Sequence, residues 1–108
     1  MSTPEVRARA TTFTVSCAPE GMHEMNASLF DIKVEYAGRD RWAVRWMGRC
    51  LDAYLEWDYE PIPSCREDDW LDAHRFDKAT ALKLAKAASP HLVVNGRTVD
   101  QVAKVGQS

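Results

Sequence analysis

From Phe30 onward, apolar and polar residues alternate with the period of a half-buried strand. Phe30, Ile32, Val34 and Tyr36 fall on one side, and Asp31, Lys33 and Glu35 on the other. Gly38, Arg39 and Asp40 turn the chain, after which Trp42, Val44 and Trp46 alternate with Ala43, Arg45 and Met47. Gly48-Arg49 fits a two-residue hairpin turn with glycine in the first central position. A third run follows, in which Leu51, Ala53, Leu55 and Trp57 alternate with Asp52, Tyr54, Glu56 and Asp58. Ahead of these, TFTVSC (12–17) has the β-branched and aromatic content of a short strand. Residues 18–27 read as a loop broken by Pro19 and Gly21. The pattern predicts an antiparallel meander of three or four strands, apolar on one face and wet on the other, and the apolar face needs a cover.

The second half of the chain supplies helices. Ser64 and Glu67 have capping-box spacing, Glu67, Asp68 and Asp69 suit a helix N-terminus, and His74 and Arg75 suit its end. This predicts a helix over 65–75 whose Trp70 anchors it on the sheet. Asp77 is placed to cap a helix over 78–88, where Ala81, Leu84, Ala85 and Ala88 make an apolar stripe that Leu82 widens. Pro90 ends it. His91–Val94 forms an extended segment and Asn95-Gly96 a turn. Thr98 and Gln101 then open a short helix carrying Val99, Val102 and Val105. Strands followed by helices give one α+β domain over 11–106, with two or three helices packed on one face of the sheet and a flexible N-terminus over 1–10.

Composition narrows the functional classes. The chain has 108 residues, 45% hydrophobic and 28% charged, the balance of a globular domain that needs no disulfide or metal to bury a core. Its net charge of −2 is unevenly spread: residues 1–51 carry +1, residues 52–77 carry −7 and residues 78–108 carry +4. Cys17, Cys50 and Cys65 are odd in number and contain no CxxC pair, which points to a reducing cytoplasm. The first ten residues lack the apolar core of a signal peptide, and no run approaches the roughly 18 apolar residues of a membrane span.

The segments RWAVRW, CLD, EWDYEPIPS, RFD, TALKLAKAASP and VVNGRTV bear a likeness to known sequences. Over about residues 30–102 the chain resembles small uncharacterised proteins encoded by actinobacteriophages, including mycobacteriophages. The resemblance implies a phage accessory product acting in the host cytoplasm, and it supplies no catalytic residue.

The chemistry-bearing residues give little support to catalysis. His23, His74 and His91, with the three cysteines, show no ligand-pair spacing, so neither metal nor cofactor is expected. Cys65 at a helix start lacks an identifiable base, and the acids Glu67 and Asp69 are explained by the helix dipole. Two surfaces remain. Pro61 and Pro63 stiffen the segment after the third strand and should present Asp58, Tyr59 and Glu60 as an exposed acidic aromatic site for a host protein. Arg39, Arg41, Arg45 and Arg49 run along one hairpin and offer a nucleic-acid face instead. The nine acids of residues 52–77 also admit mimicry of DNA phosphates. With four tryptophans, three tyrosines and nine arginines, the expectation is a non-enzymatic protein that binds and modulates or inhibits a host protein, with a nucleic-acid role as the alternative.

Overall fold

The computed structural model describes residues 3–62 and 67–106, with side chains to residue 103. Strand β1 (Thr12–Val15) is followed by a one-turn helix α1 (Glu24–Ser28) and then by β2 (Ile32–Tyr36), β3 (Trp42–Trp46), β4 (Arg49–Leu51) and β5 (Trp57–Tyr59). Helices α2 (Asp68–His74) and α3 (Lys78–Ala88), a small hairpin of β6 (Val93–Val94) and β7 (Arg97–Thr98), and helix α4 (Val99–Gly106) complete the order. The first five strands form an antiparallel sheet in sequential order, so the class is α+β.

One face of the sheet carries the core. Val34 lies opposite Phe13 and Val44, Ile32 opposite Val15, and Leu51 opposite Trp57. Ala81, Ala85 and Ala88 of α3 pack onto this face with Leu92 and Val99. Alanine at these positions lets the helix axis approach the sheet, while Trp42 and Trp46 fill the space to either side. The Trp46 indole N–H donates to the Leu29 carbonyl at 2.9 Å, so its one polar atom is satisfied.

The helix caps follow the local sequence. The Asp77 side chain accepts from the Thr80 backbone N–H at 3.2 Å, and the hydrogen bonds from Thr80 hold its carboxyl below the usual range. Gln101 accepts from the Thr98 N–H at 2.9 Å, and Thr98 accepts in return from the Gln101 N–H at 3.4 Å. The 78–88 helix, the Asn95-Gly96 turn and the final helix all lie where their sequence signals put them.

Four features differ from the sequence expectation. The hairpin turn is Met47-Gly48, with φ of 49° and 74°, because Trp46 pairs with Arg49; both central residues are left-handed, and Arg49 belongs to the strand. The expected third strand is two strands. Asp52 Oδ1 accepts from the N–H groups of Tyr54 and Glu56 at 2.8 and 3.0 Å, folding residues 52–56 into a turn through which the apolar alternation continues without pairing. Residues 24–28, expected as loop, form α1, where the His23 ring accepts from the Met25 N–H.

The fourth difference concerns α2. It begins at Asp68 with Glu67 as N-cap residue, making no side-chain cap, and the expected Ser64 cap and Cys65 lie outside the described residues, as does Pro63. The helix does not share the apolar face with α3. Its C-terminal residues reach the opposite side of the sheet, because Arg75 and Phe76 are extended. Phe76 bridges to the backbone of Trp42 and packs against the core, whereas Arg75 turns to the other face.

Candidate functional site

The second face of the sheet is a layer of paired charge. By strand alternation, Glu35, Arg45, Cys50 and Asp58 point to this side, with Arg45 directly opposite Cys50 and Cys50 opposite Asp58. Glu60, just beyond β5, accepts from Arg45 Nη2 and from Arg75 Nη2, each at 2.8 Å through one oxygen. Arg45 also donates to Glu35 at 2.6 Å. The Arg75 side chain is only 5% exposed, so Glu60 neutralises a cation that has almost no access to water. Burial by itself would pull the Arg45 pKa down, but its hydrogen bonds to Glu60 and Glu35 more than offset this and hold the guanidinium above its ordinary value.

Beside this node, His74 links α2 to the hairpin of β4 and β5. Its Nδ1 lies 2.8 Å from the Trp70 carbonyl, and its Nε2 lies 3.0 Å from Asp58 Oδ2. The ring is stacked on Trp70, with centroids 4.2 Å apart, and the Arg75 guanidinium lies 5.3 Å above Trp70. Trp70 is therefore half-buried against its own helix and Arg75, outside the apolar cluster it was expected to anchor.

The expected acidic aromatic site is thus divided. Asp58 is exposed but engaged with His74, and Glu60 is a structural anion that faces inward. Tyr59 alone is strongly exposed, at 73%, with its hydroxyl accepting from Arg49 at 3.0 Å and the Arg49 guanidinium over its ring. Asp58 pairs across the strands with Cys50, which pairs in turn with Arg45, and Glu60 continues the same parity, so both acids fall on the face that Arg45 occupies two strands away.

The arginine hairpin is divided in the same way. Arg45 is bound between Glu35 and Glu60, Arg49 rests on Tyr59, and Arg41 pairs with Asp72 of α2 at 2.9 Å. Arg39 stands exposed in the loop between β2 and β3, beside a cleft that Asp68 and Asp72 also line. Acids and arginines that are segregated in sequence therefore neutralise one another in space. Of the nine acids in residues 52–77, Glu60 and Asp72 pair with arginines, Asp58 contacts His74, and Asp52 and Asp77 accept hydrogen bonds from nearby backbone N–H groups.

Cys50 is fully buried at the centre of this layer, 3.9 Å from Arg75 Nη1. Burial, and secondarily the charge of Glu60, push its thiol pKa up, which makes it a poor nucleophile. Cys17 is exposed. Iodoacetamide is expected to label Cys17 in the folded protein and Cys50 only after denaturation, as read by peptide mass mapping. Rapid native labelling of Cys50 would contradict this packing.

The open surface also carries large apolar side chains. Nine large hydrophobic side chains are exposed among the described residues, and five of them, Met47, Tyr54, Leu55, Tyr59 and Ile62, fall within residues 47–62. Tyr54 is 87% and Ile62 66% exposed. Met47 lies in the turn between β3 and β4, Tyr54 and Leu55 in the turn between β4 and β5, Tyr59 on β5 at the end of the strand order, and Ile62 just beyond it. Beneath them, Trp57 packs on Trp46 at 5.5 Å, so the outer hairpin rests on the core. No helix among the described residues is long and apolar enough to cross a membrane.

The fold and this surface define an α+β domain with an aromatic outer hairpin set on a neutralised charge layer. No family model, no curated protein and no solved structure matches the chain.

Proposed function

We propose that the protein is a non-enzymatic binding module, a phage accessory protein that engages a host cytoplasmic protein and modulates or inhibits it. The observation that carries the reading is that five of the nine exposed large hydrophobic side chains among the described residues, Met47, Tyr54, Leu55, Tyr59 and Ile62, fall between the β3–β4 turn and the segment just after β5. Exposed apolar groups concentrated in one stretch of the chain, tyrosines among them, are the material of interface hot spots. The hairpin is held by the Glu60 node and by the Trp46–Trp57 contact, which reduces the ordering cost of binding. The surface moves from the acidic pair to the aromatic and aliphatic side chains around Tyr59.

The nucleic-acid reading is weaker, because three of the four hairpin arginines already have partners and the chain is slightly acidic. Affinity capture from host lysate, with and without nuclease, separates the two. Recovery of a protein that survives nuclease treatment supports the module. Recovery of nucleic acid, or of proteins that disappear with it, overturns it.

A further inference from the structure

Three ligand-bearing side chains meet where the β4–β5 hairpin touches α2. Asp52, Asp58 and His74 each bring one ligand atom to within 4.8 Å of the other two. Two acids alone would be an ordinary solvated patch. The histidine changes that, because its side chain is 6% exposed, stacked on Trp70 and aimed from the interior at Asp58.

The carbonyl of Trp70 can only accept, so the proton of that bond sits on Nδ1. In the neutral ring this leaves a lone pair on Nε2, facing a carboxylate oxygen at 3.0 Å. Two lone-pair groups stay that close only with a positive species between them, either a second ring proton or a metal cation. A backbone carbonyl fixing the far ring nitrogen is also the usual outer support of a metal-bound histidine. The nearby arginines Arg45 and Arg75 are committed to Glu35 and Glu60 and do not fill the space between His74 and the two aspartates.

We propose that His74, Asp58 and Asp52 bind one divalent transition-metal ion, with zinc as the best match. Imidazole nitrogen favours zinc and its neighbours over magnesium or calcium, and carboxylates are accepted alongside it. Metal–ligand bonds of about 2.0–2.2 Å place tetrahedral ligand atoms roughly 3.4 Å apart. The three atoms, already within 4.8 Å, reach that spacing by side-chain adjustment. Asp52 keeps Oδ1 for the turn and offers Oδ2. Solvent completes the sphere on the side where Asp58 is open. The ion would tie the outer hairpin to α2, a role independent of the docking proposal. A search of the sequence for histidine and cysteine pairs passes over this site because two of its ligands are aspartates and the third is 16 residues from Asp58.

The test is calorimetric titration of the metal-stripped protein, carrying no histidine tag, with zinc alone. One equivalent is expected to bind. His74→Gln and Asp58→Asn should each weaken binding by at least about tenfold, and His23→Gln/His91→Gln should leave it unchanged. Should His74→Gln fail to fold, Asp58→Asn decides, since Asp58 is more than half exposed and circular dichroism can verify its fold. Cobalt substitution should give d–d bands without a thiolate charge-transfer band. Absence of stoichiometric binding, affinity unchanged in Asp58→Asn, loss of binding in the His23/His91 variant, or a thiolate band would overturn the site and leave His74–Asp58 an ion pair.

Discussion

Glu60→Ala is expected to lower folding stability by about 3–5 kcal/mol, the range for removing one partner of a buried ion pair. The size comes from what is left behind. Arg75, 5% exposed, would lose the carboxylate that neutralises it, and Arg45 would retain only Glu35. A surface glutamate with the same sequence neighbours would cost almost nothing. Urea denaturation measures the difference, and the double change Glu60→Ala/Arg75→Met should recover part of it by removing the stranded cation. A loss below about 1 kcal/mol in Glu60→Ala would mean that the node is solvated.

The second large effect separates two tryptophans. Trp46→Ala should cost about 3–5 kcal/mol, since it empties a core position and removes the donor to the Leu29 carbonyl. Trp70→Ala should cost about 1–2 kcal/mol, the scale of a stacked and partly buried ring. The sequence made Trp70 look like the anchor, because it sits on the helix expected to cover the sheet. Equal costs in thermal or urea unfolding would restore that view.

These two residues show where sequence reasoning reaches and where it stops. Helix α3, its Asp77 cap, the Asn95-Gly96 turn and the Thr98–Gln101 box were legible because each is encoded within a few residues by side chains that satisfy nearby backbone groups. The apolar face of β2 and β3 was legible from period-two alternation. The division of the third strand was not. Leu51, Ala53, Leu55 and Trp57 keep perfect alternation through a turn that Asp52 imposes, and alternation alone carries no information about pairing. The side on which α2 lies was equally hidden, since it depends on one extended residue pair, Arg75 and Phe76, dividing between the faces.

The candidate site was half legible. Tyr59 was identified as exposed, and it is. Glu60 was grouped with it because an acid beside a proline reads as surface. Its two arginines lie 15 residues away on either side, a separation that no local pattern reports. Leu55 was assigned to the apolar face of a continuous strand, Tyr54 to its wet face without being singled out, and Ile62 lies between the two prolines that drew attention to the segment.

The central claim is that the apolar side chains of the outer hairpin form the binding surface and that the charge layer behind them is scaffold. The most direct measurement is the affinity of the captured host protein for Tyr54→Ser/Tyr59→Ser, beside Arg39→Ala/Arg41→Ala as control. Both tyrosines are exposed, so the fold should persist, and hot-spot loss of about 2 kcal/mol or more corresponds to roughly thirtyfold weaker binding. The account predicts that loss in the tyrosine variant and unchanged affinity in the arginine variant. Wild-type affinity in the tyrosine variant, together with loss in the arginine variant, would contradict it and move the working surface to the loop between β2 and β3.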